Sequence, residues 1–170
     1  MRAIRAVGRA GVMAVLSLTA PYLVAQDPNP CAVITAAEIG SALGSTPGTA
    51  TAEGPRVERD PDLRRWHCDR QVGENVLTVT VYEFTTAASA ASAMTTTLNE
   101  IKADKDMIQV TETPGIGDRA AGGATGEGAM WIAVTGKYML VLTLAGDIAN
   151  PERTHEPMRR LLSAGVARLR

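Results

Sequence analysis

Ala129-Met130-Trp131-Ile132-Ala133-Val134-Thr135-Gly136-Lys137-Tyr138-Met139-Leu140-Val141-Leu142-Thr143-Leu144-Ala145 is the stretch on which the fold turns. Two runs rich in β-branched, aromatic and aliphatic residues flank the turn Thr135-Gly136-Lys137, the pattern of a hairpin. Neither run alternates strictly between apolar and polar, so both faces of this hairpin are expected to be apolar. Met130, Ile132 and Val134, with Leu140, Leu142 and Leu144, are the candidates for a helix-covered face. Trp131, Met139 and Val141 are assigned to the opposite face.

A second hairpin precedes it. Arg65–Gln71 and Val76–Phe84 are joined through Val72-Gly73-Glu74-Asn75, with Leu77, Val79 and Val81 on one side and Thr78, Thr80, Tyr82 and Phe84 on the other. Between the hairpins, Ala87, Ala91, Met94, Leu98 and Ile101 recur at steps of three and four within 86–104, the apolar stripe of an amphipathic helix. Ile108–Glu112 reads as a further strand, Pro114–Asp118 as a tight turn, and Gly122, Gly123, Gly126 and Gly128 as a flexible connection. Met158, Leu161, Leu162, Gly165, Val166 and Leu169 have helical spacing at the C-terminus, with Pro157 in the first turn or at a kink.

Upstream, Thr35-Ala36-Ala37-Glu38 is a capping box, Ile34 and Ile39 form its hydrophobic staple, and Gly44 ends the helix. Residues 45–62, rich in Gly, Pro, Thr and Ala, read as a surface loop with one short strand near Arg56–Arg59. The expected architecture is α+β: an antiparallel sheet with helices mainly on one face, in the order α-β-β-β-α-β-β-β-α, with a weak internal repeat.

The N-terminus reads as an export signal. Arg2, Arg5 and Arg9 precede an uncharged run, Gly11–Ala20, shorter than the roughly 20 residues needed to span a bilayer. Residues 1–25 are assigned to the signal and 26–170 to a single exported domain, secreted or periplasmic. Cleavage after Ala25, cleavage after Ala20 and retention as an anchor stay open. No later segment reads as a membrane span.

In an exported chain with two cysteines, Cys31 and Cys68 are most simply a disulfide; lipidation of Cys31 and a redox pair are the rival readings. Closing such a loop contributes roughly 4 kcal/mol in the chain-entropy model.

Pro30-Cys31, Val33 through Ile39, Leu43-Gly44, Trp66-His67-Cys68, Gly115-Ile116-Gly117-Asp118 and Gly136-Lys137-Tyr138 together resemble a group of uncharacterised exported bacterial domains. These often open with Pro-Cys-x-Leu-Leu-Thr-x-x-Glu-Val, and many are lipoproteins. The resemblance implies a compact envelope-facing domain, similar to sensor or ligand-binding modules, with no catalytic residues to carry over. The chain lacks an acylatable cysteine beside the signal, unlike the lipoprotein members.

A formal net charge of −1 gives no basic footprint for nucleic acid. There is no nucleophile elbow, His-Glu-x-x-His motif or phosphate loop. His67 and Asp69 share one strand side, which is a sparse start for a metal or hydrolase site. Asp60, Asp62, Asp69 and Glu74 lack calcium-loop spacing. The expectation is therefore a non-enzymatic binding or sensor-like domain without cofactor or metal. Its candidate ligand-binding residues are Trp131, Tyr82, Thr80, Met139 and Val141 on an uncovered apolar sheet face, the partner being an unknown small molecule or envelope protein. An envelope structural or protein-interaction domain is the alternative, and a hydrolase the least favoured.

Overall fold

The computed structural model describes residues 27–57, 63–103, 108–147 and 150–170. The leading segment lies outside the described residues, as do Arg59, Asp60 and Asp62. The elements run α1 (Pro30–Val33), α2 (Ala36–Leu43), β1 (Pro47–Val57), β2 (Arg64–Val72), β3 (Asn75–Glu83), α3 (Ala87–Ala103), β4 (Thr111–Glu112), β5 (Arg119–Ala124), β6 (Gly128–Thr135), β7 (Tyr138–Ala145) and α4 (Pro151–Arg168). The described strands form one antiparallel sheet of order β1-β2-β3-β7-β6-β5-β4. The fold class is thus α+β.

Two meanders, β1-β2-β3 and β5-β6-β7, meet through β3 and β7 at the sheet centre. This is the weak repeat made physical, and it holds for the strands alone. The helices entering the two meanders lie on opposite faces: α1 and α2 share the first face with α4, while α3 lies on the second.

The first face carries the larger core. Trp66, Cys68, Leu77, Val79, Val81, Trp131, Leu140, Leu142 and Leu144 pack against Val33, Ile34 and Ile39, and against Met158, Leu161, Leu162 and Val166 of α4. Beneath α3, Ala121, Ile132, Val134 and Met139 meet Ala90, Met94, Leu98 and Ile101 in a smaller cluster. Met94, Leu98 and Ile101 take the expected inward positions. Ala90, not Ala87 or Ala91, supplies the first turn of the stripe, and the latter two are exposed.

The expected face assignment of the β6–β7 hairpin is corrected by its register. Thr135 pairs with Tyr138 across the two-residue turn, so odd positions of β6 oppose even positions of β7. Side chains directly opposite share a face. Trp131 therefore stands beside Leu142 on the α4 face, and Ile132 beside Val141 on the α3 face. Both faces of this hairpin are apolar because both are covered.

Two further expectations change. Residues 47–57 form the long edge strand β1, paired with β2 through two register shifts, in place of a loop with a short strand. Gly122 and Gly123 belong to β5, not to a flexible connection. A Cβ at Gly122 would lie 2.1 Å from Trp131 Cδ2, and one at Gly123 would lie 2.3 Å from the Gln109 carbonyl oxygen. The glycine pair thus opens β5 to an indole on one face and to a backbone on the other. Pro157 sits inside α4, which begins at Pro151 behind the cap Asn150.

Candidate functional site

The Cys31–Cys68 bond is formed, with Cα atoms 5.2 Å apart, and ties α1 to β2 on the first face. Behind it, Glu38 closes the capping box: Thr35 N–H donates to its carboxylate at 2.9 Å, and Glu38 N–H donates to Thr35 Oγ at 3.3 Å. Arg168, at the end of α4, donates to Glu38 at 2.6 Å and to the Val33 carbonyl at 2.8 Å. The guanidinium, more than the Thr35 donors, pulls the Glu38 carboxyl down to about 2, against the opposing effect of burial. Local helix chemistry and a clasp between the end of α4 and the α1–α2 segment thus hold the first face shut.

That closure decides the fate of the candidate residues. Trp131 is wholly buried on the first face, and its indole meets the His155 ring edge-on at a centroid distance of 4.5 Å. It lies on the other side of the sheet from Tyr82, Thr80, Met139 and Val141. Met139 is 5% exposed beneath α3. Tyr82, Thr80 and Val141 are half-buried; Tyr82 and Val141 lean on the rim of the α3 cluster. Of the five candidates, three remain accessible together.

The register arranges the second face in rows. Arg65, Tyr82, Met139 and Val134 form one; His67, Thr80, Val141 and Ile132 the next; Asp69, Thr78, Thr143 and Met130 the third. Each row passes from a charged or ionisable side chain on β2 to apolar side chains on β6. Helix α3 lies over the apolar end, and among the described residues no helix lies over the polar end, which forms a half-buried shelf. Edge strand β1 extends it with Glu53 and Arg56, which pair with each other. The expected uncovered apolar surface is therefore corrected: the apolar part is capped by α3, and the part that the described residues leave uncovered is polar and charged.

On the shelf, Thr78 Oγ donates to Asp69 Oδ1 at 2.6 Å, while His67 Nε2 stands 3.7 Å from the Glu53 carboxylate. Asp69 is thus engaged by a hydroxyl, and the acid facing the imidazole comes from β1. At the turn end, Lys137 Nζ pairs with Glu83, which also pairs with Arg64 at 3.4 Å. The Glu83 bond raises the Lys137 ammonium above its usual range. Asp118 accepts from the Gly136 N–H at 2.7 Å, so its side chain fixes the β6–β7 turn.

A separate cleft of about 370 Å³ opens at the other end of the sheet, lined by Leu43, Ser45, Glu74, Asn75, Asp147 and Thr154 among others. Sequence periodicity gave no hint of it, because its walls come from the end of α2, the β2–β3 turn and the start of α4. Only the hairpin turn was legible, through Gly73.

The architecture defines the chain as an α+β domain with a seven-stranded antiparallel sheet, sealed on one face and half covered on the other. No family model matches it, and no curated protein matches it. Among solved structures it is similar to the extracellular domain of PknH from Mycobacterium tuberculosis, at 13% identity over 81% of this chain and 93% of that one, with a TM-score of 0.58. A putative uncharacterised protein from Mycobacterium smegmatis, an Rv0999 ortholog, matches at 12% identity over 78% of this chain and 97% of that one, with a TM-score of 0.35. At such identity the likeness to the PknH domain is one of fold.

Proposed function

We infer that this chain is an exported, non-catalytic recognition domain that docks a protein partner on the uncovered half of its second sheet face. The observation that carries the reading is the short reach of α3, which covers the apolar ends of the rows and leaves Tyr82, Thr80, Arg65, His67 and Asp69 beside one another. Small-molecule sites are concave and mostly apolar, whereas protein interfaces are flatter, mix charge signs and favour Tyr and Arg. With Trp131 and Met139 buried elsewhere, the shelf suits the second description. Export is supported by the Cys31–Cys68 bond, which belongs to oxidising compartments, and by the charge and length pattern of residues 1–25. Among the described residues, no helix is long and apolar enough to cross a membrane. A non-catalytic role is supported by the pairing of Asp69 with Thr78, which leaves His67 without an orienting acid on its own strand.

Site-directed photocrosslinking in the exporting cell tests this. A crosslinker at Thr80 is expected to yield a discrete adduct that disappears with Tyr82→Ala or Arg65→Glu, while a crosslinker at Ser163 on α4 gives none. The same adducts from both positions, or adducts indifferent to Tyr82 and Arg65, would refute the docking role.

A further inference from the structure

The two edges of the sheet are built differently. At one end of the strand order stands β4, two residues long, with its Glu112 paired to Arg119. At the other stands β1, eleven residues long, with Thr51 through Arg56 all exposed. An edge strand directs the N–H and C=O of every second residue away from its one neighbour, and proteins commonly blunt such rows with lysines, prolines, bulges or brevity. Strand β4 is blunted by brevity. In β1 the two register shifts, Pro47/Ala50 and Glu53/Arg56, fall toward the ends, and Pro47 and Pro55 go with them. Between the shifts, Ala50, Thr51, Ala52 and Glu53 keep regular register with Arg70, Asp69, Cys68 and His67. Among the described residues, no strand pairs with this run from its outer side.

The run borders the shelf. Thr51 and Glu53 continue the rows of Asp69 and His67 on the second face, while Ala50 and Ala52 continue those of Arg70 and Cys68 on the first. We propose that the protein partner docked on the shelf also adds a strand to β1, an extended segment hydrogen-bonded to the outer side of residues 50–53. The inference rests on the docking reading for its occupant. Strand addition draws affinity from main-chain hydrogen bonds and selectivity from alternate side chains. The rows set the chemistry of the added segment. Beside Thr51 and Glu53 its side chains are polar or basic, to meet a hydroxyl and a carboxylate. Beside Ala50 and Ala52 they are β-branched or aromatic, because the small alanines leave lateral room and such residues suit a strand. A second copy of β1 is a poorer occupant: edge to edge it would set small side chains against small ones over a four-residue run, against the roughly 20–30 residues a side of a stable interface.

Crosslinkers at Thr80 and at Ala52 in the exporting cell separate the two readings, since Ala52 lies on the face away from the shelf. Both are expected to capture one protein of the same mass. In the purified Thr80 adduct, hydrogen–deuterium exchange at the outward amides of residues 50–53 is expected to slow at least about tenfold relative to the free domain. Proline is tolerated on an edge strand where its missing N–H faced outward. One of Thr51→Pro and Ala52→Pro should therefore keep the native circular dichroism and still lose at least about tenfold in Thr80 adduct. A Thr80 adduct without an Ala52 adduct, with unchanged exchange over 50–53, or at full yield from the folded proline variant would overturn strand addition and leave the docking reading standing. An Ala52 adduct of this chain with itself would also overturn it, and absence of any Thr80 adduct would overturn both.

Discussion

Glycine 122 and tryptophan 131 face each other across β5 and β6, and the indole fills the space where a side chain at 122 would stand. Gly122→Ala is expected to cost about 2–4 kcal/mol, since the clash is with a ring sealed between β5 and α4 that cannot retreat. Gly126→Ala, where nothing lies within 4 Å, should change stability by less than about 0.5 kcal/mol. Denaturant unfolding of the two variants measures the contrast. Sequence reading treated these glycines alike because their difference is made by a cross-strand partner. The Thr35–Glu38 box was legible because all of its atoms lie within one turn. Its partner Arg168 was not, being 130 positions away from Glu38. The depressed Glu38 pKa makes stability depend on pH. A carboxyl lowered on folding contributes stability that is fully present above its unfolded value, roughly 4.3, and is lost as pH falls toward the folded value of about 2. Discounted for the partial exposure of both side chains, Glu38→Gln should cost about 1–2 kcal/mol at pH 7, with the gap closing between pH 4 and 2. Unfolding curves at pH 7, 4 and 2 that stay equally separated would contradict this.

Among the elements, α1 shows how little local sequence a short helix needs when other contacts hold it. Four residues cannot sustain an isolated helix. Asn29 accepts from the Cys31 N–H at 3.0 Å, Arg168 donates to the Val33 carbonyl, and the disulfide fixes Cys31 to β2. Replacing both cysteines by serine is expected to lower stability by about 2–4 kcal/mol. Amide exchange should accelerate first in α1 and the start of α2, with β6 and β7 keeping their protection. Uniform acceleration through the sheet would mean that the bond holds more than its own corner. The element-level errors share one cause. Strands β2 and β3 alternate in sequence because one of their faces is polar, so their faces were legible. Strands β6 and β7 are covered on both sides, carry no alternation, and reveal their facing only through the Thr135–Tyr138 register. Strand β5 is written in alanine and glycine, residues that signal a loop, because the larger side chains it packs against leave no room for more.

For the whole molecule, the joint between the two meanders decides how it unfolds. Trp66 lies on β2 in the first meander and Trp131 on β6 in the second, yet both belong to one core cluster with Leu77, Val79, Leu142 and the residues of α4. Pairing of β3 with β7 runs from Val76–Ala145 to Glu83–Tyr138, so the seam between the halves is hydrogen-bonded along its length. Helix α4 caps the second meander and touches α1 and α2, spanning the seam from above. A core shared in this way cannot lose one half without exposing the other, and cooperative loss is the expected behaviour of a single domain of this size. The two indoles are 3% and 0% exposed, so iodide should barely quench native emission, and occupancy of the shelf on the opposite face should leave it unchanged. In single-tryptophan variants, Trp66→Phe and Trp131→Phe, the remaining indole's emission and the far-ultraviolet circular dichroism should follow one transition in denaturant. Separate midpoints for the two signals within either variant would mean that the meanders are independent cores joined by a seam weaker than its hydrogen bonding implies.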